Sequence, residues 1–143
     1  MSVAHAVRQR ADCVRRHVGA ILVKDKRIIS TGYNGTPRGT KNCSAGGCER
    51  CNAAEEKYPR GMYLDKCACS HAEENAIVQA ALHGVATKDS TLYTTNSPCT
   101  TCCKMMVNAG VTKIIIGSEY PDELGMDLIK QADIEIIKFG GHK

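Results

Sequence analysis

Nine cysteines in a chain of 143 residues constrain what this protein can fold into more than any other feature of its sequence. Their odd number argues against complete pairing as internal disulfides. Arginines, a histidine and an aspartate interrupt the N-terminal segment, where a secretory signal needs an apolar stretch, so we expect no export. In a reducing compartment, closely spaced cysteines are metal ligands more often than disulfide partners. The sequence therefore predicts bound metal and a cytoplasmic location.

Charge and aromatic content bear on the class of partner. The formal net charge of +4 is modest and its basic residues are scattered. This suits an enzyme for an anionic small molecule at least as well as a nucleic-acid binder. One Phe, five Tyr and no Trp offer few surfaces on which bases could stack. No apolar run approaches the roughly 20 residues that cross a bilayer. We expect a small-molecule substrate, with neither nucleic acid nor membrane as a partner.

Hydrophobic periodicity predicts an opening helix and hairpin, followed by alternating helices and strands. The helix is expected over residues 1–17, and the hairpin strands over 18–23 and 27–33. Helices are then predicted over 71–83, 99–109 and 122–131, and strands over 91–95, 113–116 and 134–138. Such alternation predicts a mostly parallel sheet after the hairpin, with helices on both faces. The expected fold is a three-layer α/β/α domain covering residues 1–143.

Two short motifs begin neighbouring predicted helices and carry metal ligands. Cys99 and Cys102, after Pro98, are three residues apart on a helix, so both thiols can face one point. His71 begins the other helix and supplies a third ligand. Three protein ligands leave zinc one position for water, as in catalytic sites. Glu73 can then carry protons beside the metal without ligating it. The alternative is a structural zinc with an incidental glutamate.

The pattern H-x-E followed by P-C-x-x-C resembles the signature of zinc deaminases. Residues 18–23, 30–39, 69–77 and 97–120 resemble, more closely, the deoxycytidylate (dCMP) deaminases of the zinc-dependent cytidine/deoxycytidylate deaminase family. The Thr-Gly-Tyr-Asn-Gly segment at 31–35 is the discriminating part, because cytidine deaminases and tRNA adenosine deaminases usually lack it.

The resemblance implies a cytidine-deaminase-like fold with a five-stranded mixed sheet, commonly assembled as a hexamer. It implies hydrolysis of dCMP to dUMP and ammonia, supplying dUMP for thymidylate synthesis, with attack at cytosine C4 and Glu73 carrying protons. Substrate contacts are implied for Asn34, Ala72, Ser97 and Tyr120. The loop formed by Gly32, Tyr33, Asn34 and Gly35 is implied to border an allosteric site for dCTP, with magnesium, and for dTTP. Whether the substrate is dCMP, dCTP or both is left open, because the residue that binds phosphate is not decided. Four basic residues are unranked candidates for this role: Arg8, Arg15, Arg38 and Lys41.

Six further cysteines lie in or near a loop region, residues 34–70, that shows little periodicity; Cys103 is assigned to packing. The six are Cys13, Cys43, Cys48, Cys51, Cys67 and Cys69. A closed four-cysteine zinc would fold this loop, which has few apolar residues to offset its ordering entropy. Related deaminases often carry such a structural zinc. The preferred ligands are Cys43, Cys48 and Cys67 with one of the other three. A two-zinc cluster of all six, or buried thiols without metal, stays open.

Two other functions are compatible with parts of the pattern. One is a deaminase of nucleosides or of a cytidine or adenosine base within RNA, which the shared zinc motif allows. The other is a zinc-ordered nucleic-acid-binding module, which would bind with a steep salt dependence. The mild charge, the scarce aromatic residues and Glu73 beside an open zinc weigh against the module.

Overall fold

The computed structural model describes residues 1–140, so the last three residues of the predicted single domain lie outside the described part. The helices are α1 (Ser2–Arg8), α2 (Glu49–Asn52), α3 (Ala72–Leu82), α4 (Thr100–Asn108) and α5 (Glu123–Gln131). The strands are β1 (Gly19–Lys24), β2 (Arg27–Tyr33), β3 (Thr91–Thr94), β4 (Lys113–Ile116) and β5 (Glu135–Lys138). Single 3-10 turns cover Cys43–Ala45 and Leu64–Lys66. The bounds after residue 70 agree with the predicted ones to within one residue at each end.

The five strands form one mixed sheet in the order β2-β1-β3-β4-β5. Strand β1 is antiparallel to both of its neighbours, whereas β3, β4 and β5 run parallel to each other. This confirms the predicted hairpin followed by a parallel half. The N-terminal ends of α3 and α4 therefore meet near β3, at the point where the sheet changes from antiparallel to parallel.

The two faces of the sheet carry different helices. Leu22, Leu92 and Ile114 are cross-strand neighbours on one face, and all three are fully buried in the core that also contains Met106 and Ile129 of α4 and α5. On the other face, Gly19 lies so close to Ala4 and Arg8 of α1 that a Cβ there would overlap their backbone. Helices on both faces of the sheet give the three-layer α/β/α arrangement.

The first helix is shorter than predicted: it ends at Arg8, not at residue 17. The reason is the side-chain amide of Asn34. Its Nδ2 donates to the carbonyl of Arg16 at 2.7 Å, and its Oδ1 accepts from the backbone N–H of Val18 at 2.7 Å. The N–H of Asp12 also donates to the carbonyl of Asn34 at 3.1 Å. These contacts keep residues 12–18 out of a helix, because backbone groups that a helix would pair internally are bound elsewhere. Among the described helices, none has both the length and the apolar character to cross a membrane.

Candidate active site

Close packing of β2 against α3 fixes the start of that helix. A Cβ on Gly32 would overlap the carbonyl oxygen of Ala72 and the N–H of Ala76, so a side chain at this position would push the helix away. His71 is the N-cap of α3, and its backbone N–H donates to Glu74 Oε2 at 2.6 Å. The N-terminal turn of α3, with His71 and Glu73, is thus held tightly against the sheet.

The three predicted zinc ligands come together at the starts of α3 and α4. His71 Nδ1 lies 3.4 Å from Cys99 Sγ and 3.4 Å from Cys102 Sγ, and all three ligand atoms are within 4.8 Å of one another. Tetrahedral zinc, with bonds of about 2.3 Å to sulfur and about 2.0 Å to nitrogen, places neighbouring ligands roughly 3.5 Å apart. The geometry therefore fits a zinc ion with one position left for water or substrate.

Among the three ligands, Cys99 has the pKa that favours the zinc-binding form, whereas its hydrogen bond with Cys102, and then burial, raises the pKa of Cys102. Cys99 is the N-cap of α4, where its Sγ accepts from the backbone N–H of Cys102 at 3.4 Å. The hydrogen bond with the Cys102 thiol, followed by that with His71, lowers the pKa of Cys99 to about 4 against the opposing effect of burial. The pKa of His71 is raised to about 9, mainly by its hydrogen bond with Cys99. A thiolate is the form in which cysteine binds zinc.

Glu73 lies beside this ligand set in a fixed orientation. It is 3% exposed, and its Oε1 accepts from Thr94 Oγ1 at 2.6 Å. Its Oε2 accepts from Cys102 Sγ at 3.8 Å, so this oxygen lies next to one of the three predicted zinc ligands. Burial raises the pKa of Glu73, while the bond from Thr94 opposes the rise. Thr94 was not identified from the sequence. The structure shows its role, because its hydroxyl is fully buried on a central strand and therefore needs a hydrogen-bond partner.

A cavity of about 820 Å³ opens onto these groups. His71, Glu73 and Cys99 line it, and so do Asn34, Ala72 and Ser97 of the predicted substrate residues. Two of the four phosphate candidates, Arg8 and Arg15, line it as well, whereas Arg38 and Lys41 do not. The wall includes three further arginines, which no sequence motif indicated: Arg16, Arg50 and Arg60. The cavity wall is therefore mainly cationic, with Glu55 as a second acidic lining residue besides Glu73.

Two predicted substrate residues differ in their surroundings. Asn34 is 7% exposed, and both ends of its amide are engaged with the backbone of Arg16 and Val18, so it shapes the cavity wall. Tyr120 is 50% exposed and does not line the cavity. It belongs to the segment between β4 and α5, just before Pro121. Its contact with substrate stays a prediction that the geometry of this chain does not favour.

The loop predicted to bind allosteric nucleotides connects β2 to the active site. The N–H of Gly35 donates to the carbonyl of Ser70 at 3.2 Å, and the N–H of Ser70 donates back at 2.8 Å. Asn75 Nδ2 donates to the carbonyl of Tyr33 at 2.7 Å. The Tyr33 side chain is 39% exposed. The loop is thus joined directly to the residue that precedes His71.

The six remaining candidate cysteines fall into two overlapping groups. Ligand atoms of Cys13, Cys43, Cys51 and Cys69 lie within 4.8 Å of one another, and so do those of Cys48, Cys51, Cys67 and Cys69. Neither group contains the preferred set of Cys43, Cys48 and Cys67 together. Hydrogen bonds, foremost those with Cys69, lower the pKa of Cys13 to about 5 and that of Cys67 to about 4. Cys103 is fully buried in the apolar core, as predicted for packing.

Comparison with known proteins points the same way as the site. Residues 1–118 match the family described as the cytidine and deoxycytidylate deaminase zinc-binding region. The chain is 38% identical over 140 residues to the deoxycytidylate deaminases of Schizosaccharomyces pombe and Saccharomyces cerevisiae. These matches cover 97% of this chain but only 42% and 43% of those relatives, so it spans less than half of their length.

A solved structure agrees with this assignment. The dCMP deaminase of cyanophage S-TIM5, in complex with dCMP and dUMP, is 33% identical and superposes with a TM-score of 0.74. The superposition covers 96% of this chain and 92% of the phage chain. Because the family match covers residues 1–118, this chain belongs to the cytidine and deoxycytidylate deaminase family.

Proposed function

We propose that this chain hydrolyses dCMP to dUMP and ammonia. The observation that carries the proposal is the placement of Glu73: buried, held at one oxygen by Thr94, and next to the predicted zinc ligand Cys102 at the other. The partner of Oε2 is the thiol of Cys102, itself a proposed zinc ligand, so binding of zinc by that sulfur would leave Oε2 free to accept a proton. The yeast and cyanophage relatives that carry the name deoxycytidylate deaminase support the choice of substrate.

The reaction divides between the ligand triad and Glu73. Zinc bound to His71, Cys99 and Cys102 would act as a Lewis acid and lower the pKa of water. Glu73 Oε2 removes a proton from the attacking water and delivers it to cytosine N3. It then takes the second proton and passes it to the departing amino group, which leaves as ammonia. Thr94 keeps Oε1 occupied, so that Oε2 is the oxygen that moves protons.

The cationic wall of the cavity supports a nucleotide rather than a nucleoside. Arg15 donates to the carbonyls of Cys51, Ala53 and Tyr58, so it serves the protein backbone. Arg16 and Arg60 line the same cavity, and among the ion pairs of residues 1–140 neither has a carboxylate partner. Burial, and then the positive charge of Arg60, lowers the pKa of Arg16. A phosphate between these guanidinium groups would relieve their repulsion.

Regulation by dCTP with magnesium and by dTTP, and assembly as a hexamer, are parts of the same proposal. The hydrogen bonds between Gly35 and Ser70 support the regulation, since Ser70 directly precedes the ligand His71. A nucleotide held against the exposed ring of Tyr33 would act on the active site through this short connection. Nine free thiols suit the proposed cytoplasmic location.

A substrate panel tests the proposal. Ammonia release is measured for deoxycytidine, dCMP, dCTP and CMP, each with and without dCTP or dTTP as effector. We expect dCMP to give the highest kcat/KM. Faster turnover of deoxycytidine than of dCMP would favour a nucleoside deaminase. Zinc-loaded protein that leaves both dCMP and dCTP unchanged under every effector condition would contradict the proposal.

A further inference from the structure

The six cysteines outside the active site form a buried group of their own, which we call the six-cysteine cluster: Cys13, Cys43, Cys48, Cys51, Cys67 and Cys69. Five of them are no more than 6% exposed, and Cys67 is partly buried. The two four-cysteine groups in the cluster share Cys51 and Cys69. One zinc ion binds four ligands, so a single ion would leave two of these buried sulfurs unused.

The distances between sulfurs match metal ligands rather than disulfides. Cys13 and Cys51 are 3.6 Å apart, Cys51 and Cys67 are 3.7 Å apart, and Cys48 and Cys67 are 3.9 Å apart. Tetrahedral zinc with bonds of about 2.3 Å separates neighbouring sulfurs by about 3.8 Å. A disulfide would require about 2.0 Å. The observed sulfur–sulfur distances therefore match those between ligands of one tetrahedral zinc ion. They occur in both four-cysteine groups, which Cys51 connects.

We propose that the six-cysteine cluster binds two zinc ions, with Cys51 and Cys69 as thiolates shared between them. Cys13 and Cys43 complete the ligands of one ion, and Cys48 and Cys67 complete those of the other. Both ions are then four-coordinate, with no position for water or substrate, so the site is structural. Two ions that share sulfurs at about 2.3 Å lie no more than about 4.6 Å apart.

The surroundings of the cluster suit its charge. Six thiolates and two divalent ions retain two negative charges, which a buried site must balance. The backbone N–H of Ala68 donates to Cys48 Sγ at 3.3 Å, and Asn52 Nδ2 donates to Cys43 Sγ at 3.9 Å. Arg50, next to Cys51 in α2, is only 6% exposed; its Nε donates to the carbonyl of Met62 at 2.9 Å, and it has no carboxylate partner among the ion pairs of residues 1–140. A dianionic cluster would supply the missing counter-charge.

Connectivity explains why the chain would use two ions here. The cluster joins the segment after α1 through Cys13, the loop around α2 through Cys51, and the segment before α3 through Cys69. Cys69 lies two residues before the zinc ligand His71. Two metal ions would therefore fix the cavity wall and the approach to the active site together.

Counting zinc ions on the intact chain tests this inference independently of deaminase activity. Native mass spectrometry of the zinc-loaded protein should give three ions per chain, and the His71→Ala variant should retain two. Two ions on the parent chain, bound iron instead of zinc, or a mass lower by about 2 Da per disulfide would overturn the proposal. If the substrate panel fails while three ions are counted, the cluster stands without the proposed function.

Shared ligands give a second readout. We expect Cys51→Ser and Cys69→Ser to lose both cluster ions, and Cys43→Ser to lose at least the ion it serves, while the control Cys103→Ser keeps all three. In the parent chain loaded with cadmium-113, two resonances of four-sulfur sites should show cadmium–cadmium coupling through the shared sulfurs. Two uncoupled resonances, or a single one, would overturn the assignment of Cys51 and Cys69 even if the variants fail to fold.

Discussion

The active site and the six-cysteine cluster use the same kind of ligand in opposite settings. At the active site, Cys102 and Ala72 are fully buried in the apolar core with Leu22 and Ile114, so a hydrophobic sheet and two helices support the ligands. The second buried apolar group consists of cysteines alone, namely Cys13 and five others from residues 34–70. The hydrophobic core positions the ligands of the active site, whereas the six-cysteine cluster takes the place of a hydrophobic core in its own part of the chain.

This difference separates what each metal has to do. A site with three ligands on helices that are already packed can leave one position for chemistry, because the fold does not depend on the ion. A closed cluster in a loop with few apolar residues contributes folding energy itself. Removing metal from the two regions should therefore have distinct consequences: loss of activity in one and loss of structure in the other.

The largest expected effect is on the stability of the loop. Cys43→Ser removes a cluster ligand, and we expect the free energy of unfolding to fall by at least about 5 kcal/mol, since structural zinc supplies roughly 10 kcal/mol or more in small domains. Cys103→Ser, equally buried but outside the cluster, is the control and should cost about 1 kcal/mol. Urea denaturation measures both. Equal losses would mean that the cluster serves as ordinary packing.

Glu73→Gln should separate chemistry from structure at the active site. We expect kcat for dCMP to fall by about 10³ or more, because a neutral amide cannot carry the two protons. The zinc count and the circular dichroism spectrum should stay those of the parent chain. Glu119→Gln, an exposed carboxylate outside the cavity, is the control and should change kcat by less than about twofold. A Glu73→Gln variant that keeps more than a tenth of the parent activity would exclude Glu73 as the proton carrier.

Gly32→Ala tests whether the sheet sets the position of the ligands. The added Cβ would overlap the backbone of Ala72 and Ala76, so we expect a loss of about 3 kcal/mol in stability together with lower activity. Gly35→Ala is the matched control, since its Cβ would meet Asp12 only at 3.5 Å, an ordinary contact. Thermal unfolding should leave this control within about 1 kcal/mol of the parent. Unchanged stability of the Gly32→Ala variant would remove the packing argument.

The smallest expected effect concerns the cavity wall between the two regions. Arg60→Gln should raise KM for dCMP about tenfold, because it removes one charge-assisted hydrogen bond to the phosphate. It should leave kcat/KM for deoxycytidine unchanged, because deoxycytidine has no phosphate. Steady-state kinetics with both substrates measure the split. Arg27→Gln, exposed at the start of β2, is the control. Equal losses for both substrates would indicate that Arg60 supports the cavity rather than a phosphate.

The active site was predictable from sequence because its ligands begin two successive helices and form a motif that resembles that of zinc deaminases. Spacing of three residues on a helix brings Cys99 and Cys102 together, and a helix start fixes His71 relative to Glu73. The sheet and the later elements followed from periodicity in the same way. Thr94 was missed because a hydroxyl in a strand carries no distinctive spacing.

The cluster and the cavity wall depend on contacts between distant parts of the chain. Cys13 and Cys51 are in contact although 38 residues separate them in the sequence. The spacing of the cysteines along the chain therefore could not show which sulfurs belong to which of the two groups. The end of α1 was misplaced because the Asn34 amide captures backbone groups near Arg16. Arg16 and Arg60 come from separate segments and form a cationic wall only after folding.

Stepwise removal of zinc by a chelator, with released metal, deaminase activity and circular dichroism followed on one sample, distinguishes the two regions most directly. His71 and Cys99 are partly exposed, whereas nearly all of the six-cysteine cluster is buried, so the active-site ion should leave first. We expect activity to disappear with the first equivalent of zinc while the spectrum stays native, and unfolding to begin only with the later equivalents. Activity that survives the first equivalent, or that disappears only as the chain unfolds, would contradict a catalytic ion on a preformed core.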